Sequence, residues 1–280
     1  MKISIITVCY NSSQTISRTI ESVLAQKDVQ LEYLIIDGAS KDDTVQIAES
    51  YREQFAQKGF AYRIQSEPDK GIYDAMNKGI SLAEGDVVGI LNSDDYYASS
   101  DVLSCVLADF ERSGAESVYG NLLYVKNGKP YRYWKSGKQK SFRFGWMPPH
   151  PAFFVKKSVY EKYGLFRLDC GINADYEIML RFLEAYKVST VWLKKVCTYM
   201  EAGGTSNNGL QSRIVAMNND KLAWEKNNLK PGRFTILLKK IRKIPQFIGA
   251  KFYMKTKEAM GGVQKYSEIK RMRYLSMGAA

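Results

Sequence analysis

Histidine occurs once in the 280 residues, as His150, and cysteine only four times. A single histidine excludes a histidine-rich metal centre and any relay of several imidazoles. Cys9, Cys105, Cys170 and Cys197 are scattered, with no Cys-x-x-Cys pair. That spacing speaks against a zinc site or a disulfide framework and reads as buried thiols in a reducing compartment. No stretch approaches the roughly 20 apolar residues that a membrane span requires. The early run ISIITVCY is too short for one and leads straight into polar sequence, so it reads as a first strand rather than a signal peptide. Internal repeats are absent. So is a glycine-rich phosphate loop near the N-terminus, which argues against a nucleotidyltransferase. Acidic residues become scarce toward the end: from Lys221 onward 15 Lys and Arg face three Glu, while residues 1–220 hold 26 of each sign. A neutral body therefore carries a basic tail, the pattern of a segment that meets an anionic partner. What the chain does have is a 45% hydrophobic content, enough for a sizeable core.

The first hundred residues alternate between two periods. KISIITVCY, LEYLIIDGAS, FAYRIQSEP and DVVGILNSDD are apolar or β-rich runs that read as strands. Between them SQTISRTIESVLAQ, DDTVQIAESYREQF and GIYDAMNKGISLA carry helical periodicity, the first with Ile16, Ile20, Val23 and Leu24 on one face. Continuous apolar strands alternating with helices predict an α/β fold with a mostly parallel central sheet flanked by helices. Farther on, SVYGNLLYVKNGKPYRYW predicts a hairpin turning at Asn127-Gly128, NADYEIMLRFLEAY a helix, and VSTVWLKKVCTYM a strand. From about residue 209 the pattern turns helical and basic. The expected division is a body over 1–208 and a basic helical extension over 209–280.

Ligands of such sheets bind beyond the carboxyl ends of the strands, and the unusual polar residues gather there. Thr7 to Asn11, Asp37-Gly38, Glu67 to Lys70 and Asn92 to Asp95 each follow an apolar strand. In VVGILNSDDYYA the strand delivers two adjacent carboxylates. A diphosphate leaving group needs its charge neutralised, and Mg²⁺ or Mn²⁺ takes one or two carboxylates plus phosphate and water oxygens. Asp94, assisted by Asn92 or Asp95, suits that task. The alternative is that Asp94 and Asp95 cap a helix starting near Ser99. Asp37-Gly38 likewise reads as a nucleotide contact or as a plain turn.

Four segments together, SIITVCYN, LIIDGASKDDT, SEPDKGIYDAMNKGI and ILNSDD, resemble the family 2 inverting glycosyltransferases of the GT-A fold. The likeness is greatest to bacterial enzymes of exopolysaccharide, colanic-acid and O-antigen assembly, and it covers roughly residues 1–210 in order. The resemblance implies a nucleotide-diphosphate-sugar donor, a bound Mn²⁺ or Mg²⁺ and a saccharide acceptor. The family's Asp-x-Asp metal motif stands here as Asn92-Ser93-Asp94, which leaves Asp94 as the principal ligand. Carried over by position, Thr7, Tyr10, Asn11, Asp37, Asp69, Lys70, Asn77, Asn92 and Ser93 are expected around the nucleotide. Tyr73 and Met76 are expected in the core.

An inverting transfer needs a general base for the acceptor hydroxyl. The family places an acid at the start of a helix after the sheet, and INADYEIMLRF puts Asp175 there, with Ala174 where a Glu often stands. Asp175 can equally cap its own helix, and Glu177 is the second candidate for the base. His150, Trp146 and Tyr176 are assigned to the acceptor region, His150 against a structural role and the two rings against core positions. The Gly203 to Ser206 segment reads as a closing loop or a turn.

Acceptors of such pathways are commonly lipid-linked. Residues 233–257 combine cations with Phe, Leu and Ile in the manner of an interfacial helix, and Pro245 divides the segment into two helices. An anionic membrane surface is the expected partner, with the protein placed peripherally on the cytoplasmic face. Packing on the body or on a second subunit is the alternative, and a homo-oligomer stays open. Nucleic acid fits poorly, because the tail has an aliphatic face and the body lacks a basic groove. A non-catalytic nucleotide-sugar binder is the rival from another class, motivated by Asn92 and the missing Glu before Asp175.

Overall fold

Side chains of β1 (Lys2–Cys9) alternate between two apolar environments, and this sets the architecture. Ile3 and Ile5 face one cluster with Ile16, Ile20 and Val23, while Ile6 and Val8 face another with Ala75, Met76 and Ile80. A strand buried on both faces must lie between two helical layers. The computed structural model describes residues 1–202 and 209–250, with backbone only for 209–214 and 216.

The described sheet has nine strands, and β1 lies near its middle. β2 (Gln30–Asp37) pairs parallel with β1, β3 (Ala61–Ser66) parallel with β2, and β4 (Val87–Ile90) parallel with β1 on its other side. This half is parallel throughout, as the alternation predicts. The second half is mixed. β5 (Tyr96–Tyr97), β6 (Ser117–Lys126), β7 (Lys129–Trp134), β8 (Phe153–Lys156) and β9 (Thr190–Glu201) join it mainly through antiparallel pairs, with β6 and β9 parallel. The β6–β7 hairpin turns at Asn127-Gly128, both at positive φ, as its sequence predicts.

The helices are α1 (Ile16–Leu24), α2 (Thr44–Glu49), α3 (Arg52–Gln57), α4 (Ile72–Leu82), α5 (Val102–Ser113), α6 (Lys157–Tyr163), α7 (Ala174–Leu180), α8 (Gly209–Lys226) and α9 (Thr235–Ile241). The single helix expected over DDTVQIAESYREQF is two short ones, α2 and α3, broken at Ser50-Tyr51. α7 continues into a π turn over Arg181–Ala185. The extension expected from residue 209 begins inside the body. Ala223 and Trp224 of α8 are buried in the same cluster as α7, and the Trp224 indole donates to the Tyr176 hydroxyl at 2.9 Å. After α9 the chain is helical again over 244–250, so the break anticipated at Pro245 falls at 242–243. Residues 251–257 and the Gly203 to Ser206 segment lie outside the described residues.

Candidate active site

Parallel register brings Cys9, Asp37 and Ser66 into one row at the carboxyl edge of the sheet. Asp37 is fully buried there and accepts from the Ser40 N–H at 2.9 Å, the Ser66 hydroxyl at 2.7 Å and the Cys9 thiol at 3.5 Å. The Ser40 hydroxyl donates to it as well. A carboxylate offers about four lone-pair sites, and the protein fills them, so Asp37 organises the strand ends. Burial, with Asp37 as the next cause, pushes the Cys9 thiol well up, which keeps it an inert thiol.

Around that row lies the exposed chemistry. Tyr10 is 58% exposed. Asn11, at φ 48°, accepts from the Lys41 N–H at 2.8 Å and donates its own N–H to Ser40. Asp69 folds back over Gly38: a Cβ there would stand 2.6 Å from Asp69 Oδ2, and Tyr10 is next nearest. Only glycine permits that approach. Gly71, at φ 112°, then donates to Asp69 Oδ1 at 2.7 Å and opens α4. Lys70 is exposed beside this turn.

At the end of β4 the Leu91 N–H bonds the Ile6 carbonyl, and the chain then turns through Asn92 to Asp95. The two adjacent acids part company here. Asp95 is fully buried, and burial, then the charge of Asp94, pushes its carboxyl well up. Asp94 stays half-buried, raised mainly by burial and drawn back by Arg18. The cap reading fails on geometry: β5 intervenes, and the residue preceding α5 is Asp101. Ser93 meets Ser12 hydroxyl to hydroxyl at 2.9 Å, tying the ends of β1 and β4. Asn92 donates to Asp95 Oδ2 at 3.2 Å, while Asn92 Oδ1 and Asp95 Oδ1 are buried with no partner among the described residues. Buried oxygens in that state are unusual and call for an ion or water.

Arg18 gave no signal in the sequence beyond being a cation on the first turn of α1. Its guanidinium donates to the Asp94 carbonyl at 3.0 Å and to Glu201 at 3.2 Å, and lies 4.3 Å over the Tyr96 ring. It thereby fixes the turn that carries Asp94.

Asp175 stands in the first turn of α7, after Asn173 at the cap position. Its Oδ1 accepts from the Tyr176 N–H at 2.8 Å and from the Tyr73 hydroxyl at 3.3 Å. His150 sits edge-on to Phe166, and burial lowers its imidazole while the nearby Asp175 raises it. The Tyr124 phenol is raised first by burial, and among its smaller influences are the charges of both Asp95 and Asp175.

Several assignments need correction. Trp146 and Tyr176 are core residues: both are buried, the Trp146 indole donates to the Ser136 carbonyl, and Tyr176 is bonded by Trp224. Asn77 is half-buried, and its amide clips the Phe166 backbone at both ends, at 2.9 and 2.8 Å. Thr7 is buried, accepting from the Tyr33 hydroxyl. Glu177 is fully buried between Arg167 and Arg181, at 3.0 and 3.2 Å, and faces no opening. Tyr73 packs against the core as expected, and its hydroxyl in addition reaches Asp175.

With this geometry in view, three comparisons bear on the chain. The family model "Glycosyl transferase family 2" matches residues 4–168. An uncharacterized glycosyltransferase of Mycobacterium tuberculosis is 36% identical over 190 residues, 64% of this chain and 68% of that protein. A PGL/p-HBAD biosynthesis glycosyltransferase of Mycobacterium bovis is 27% identical over 206 residues, covering 73% and 78%. Among solved structures, S. aureus TarS 1-349 in complex with UDP superposes with a TM-score of 0.59 at 18% identity, covering 82% of this chain and 67% of that one. The mannosyltransferase PcManGT from Pyrobaculum calidifontis, in complex with GDP-Man and Mn²⁺, gives 0.61 at 16% identity, covering 99% and 80%. At these identities the two superpositions speak to fold alone, and the fold is that of GT-A enzymes.

Proposed function

Since the chain belongs to glycosyl transferase family 2, we propose that it transfers a sugar, with inversion, from a nucleoside-diphosphate donor to a saccharide hydroxyl. The observation that carries this reading is the Asn92–Asp95 turn after β4, where Asn92 Oδ1 and Asp95 Oδ1 are buried without a partner among the described residues. Tyr10, Asn11, Gly38, Asp69 and Lys70 flank the turn and form the donor side, with Asp37 bracing it from below.

Among the described residues no three of His, Cys, Asp and Glu gather to hold a metal unaided. The chemistry of a diphosphate-bound ion asks for less: one or two protein oxygens, the rest from phosphate and water. Asp94 and the unpartnered Asn92 Oδ1 fit that demand. A Mn²⁺ or Mg²⁺ held there supplies charge neutralisation of the leaving diphosphate.

The acceptor oxygen attacks the anomeric carbon on the face opposite the diphosphate. The bond from that carbon to the phosphate oxygen breaks, and its electron pair leaves with the nucleoside diphosphate. The hydroxyl proton passes to Asp175, whose Oδ2 is unbonded among the described residues while Oδ1 is held. His150, on the same side, is kept neutral by burial and lines the acceptor approach.

A membrane-borne acceptor fits the tail. No helix among the described residues is long and apolar enough to cross a membrane. Phe234, Leu237, Ile241, Ile244, Phe247 and Ile248 are instead between 41% and 63% exposed. They recur at helical spacing beside Arg233, Lys240 and Lys243, which are exposed too. An apolar stripe flanked by cations suits an anionic lipid surface, worth about 1 kcal/mol per cation near it. Flotation with phosphatidylglycerol vesicles tests this. Leu237→Glu with Ile241→Glu should abolish co-flotation that the wild type shows; equal flotation of both would take this stripe out of the proposal, and no flotation of the wild type would remove the membrane.

The central experiment is calorimetry with UDP, GDP and dTDP, each with and without Mn²⁺. Metal-dependent binding of one nucleotide supports the transferase reading and names the donor class. Binding without turnover on any acceptor favours a non-catalytic binder. No binding by the folded protein removes the donor site.

A further inference from the structure

Asp175 and Tyr73 are 102 residues apart and meet only in the folded chain. Tyr73 stands in the first turn of α4, immediately after the Asp69–Lys70–Gly71 turn of the donor side. Its ring stacks on Phe166 at 5.4 Å, which fixes where the hydroxyl points. That hydroxyl has one proton and two acceptors in reach: the Ile172 carbonyl at 2.9 Å and Asp175 Oδ1 at 3.3 Å. On Asp175 the other oxygen, Oδ2, has no protein partner among the described residues.

We propose that Tyr73 is a positioning residue that holds Asp175 Oδ1, presents Oδ2 to the acceptor hydroxyl and couples the base to the donor loop. The inference rests on the reading of Asp175 as the base. While Asp175 is ionised, the charge-assisted bond to Oδ1 draws the tyrosine proton. Once Oδ2 has taken the acceptor's proton, Oδ1 becomes a weaker acceptor and the hydroxyl turns to the Ile172 carbonyl. The shift is a rotation about one C–O bond, with the ring held by Phe166. A hydrogen bond of 3.3 Å is long in the free enzyme, and such bonds commonly tighten when substrate arrives. Burial, with the charge of Asp175 second, pushes the Tyr73 phenol well up, so it keeps its proton and does not itself act as the base. Movement of the Asp69–Gly71 turn on donor binding would be transmitted to Asp175 through the start of α4.

The test is Tyr73→Phe in the full chain, which removes the hydroxyl and leaves the stacked ring. The probes are UDP-N-acetylglucosamine and GDP-mannose with water as acceptor, read by nucleoside-diphosphate release. The expected result is a fall in kcat of about tenfold or more, the scale of one hydrogen bond to a charged group, with donor KM within about twofold. In parallel, the ¹³C resonance of the Asp175 carboxyl at fixed pH should move in Tyr73→Phe. An unchanged kcat with an unmoved resonance would overturn the proposal. If water is too poor an acceptor for turnover, the resonance alone decides. Asp175→Asn separates the two readings. If it abolishes release while Tyr73→Phe does nothing, the positioning role fails and the base stands. If Asp175→Asn keeps full activity, the base assignment fails, whatever the resonance shows.

Discussion

The Asp94 and Asp175 carboxylates are positioned by different means. Asp94 follows a parallel strand, and its place is set by neighbours at other strand ends: Ser12 on Ser93, the Ile6 carbonyl on Leu91, Arg18 on its own carbonyl. Asp175 stands at a helix start in the mixed half, and its side chain is held by its own turn and by Tyr73 from across the site. The contrast teaches that the proposed donor side is built into the register of the parallel half. The proposed base instead depends on how α7 is docked, through Glu177 with Arg167 and Arg181, and through Trp224 on Tyr176.

The sharpest way to break the comparison is to exchange one carboxylate at a time. Asp175→Asn should lower transfer by about 10²–10⁴-fold, the range of a lost general base, with donor binding by calorimetry unchanged. Asp94→Ala should do the reverse and weaken Mn²⁺-dependent donor binding by about a hundredfold or more, since even outer-shell partners contribute about 10–100-fold. Equal loss of donor binding in both variants would erase the division of roles. A smaller effect is expected from Gly38→Ala, whose Cβ would displace Asp69. Donor affinity should fall by about threefold to tenfold, and unchanged affinity would take Asp69 out of the pocket.

The smallest expected effect separates Asp95 from its neighbour. A carboxyl raised in the folded state binds more protons there than in the unfolded chain, so stability falls as pH climbs above its ordinary value of 3.8. Asp95→Asn removes that penalty. In metal-free buffer at pH 7 it should raise Tm by about 2–4 °C for each kcal/mol regained, and the gain should vanish toward pH 4. A gain independent of pH would assign it to packing instead.

Periodicity alone placed the first strands and helices, because an apolar run of eight residues or a 3.6-residue stripe has few other uses. It also located Asp37, Asp69 and Asn92 to Asp94, because parallel strands put their carboxyl ends along one edge. The two-helix break at Ser50-Tyr51 was hidden, since both pieces share one apolar stripe. Trp146 and Tyr176 were misplaced because an aromatic ring suits a sugar or a core equally well, and only packing distinguishes them.

Local pattern, together with the four segments that resemble family 2, thus determined the α/β class, the strand edge on which the proposed donor side lies, and the basic tail. Tertiary structure alone decided which of two adjacent acids faces outward, that Glu177 is locked between arginines, that Tyr73 reaches Asp175 and that Arg18 braces the Asp94 turn. Those outcomes depend on contacts between residues from four to well over a hundred positions apart, and burial at such contacts is a property of the folded assembly that no short stretch encodes.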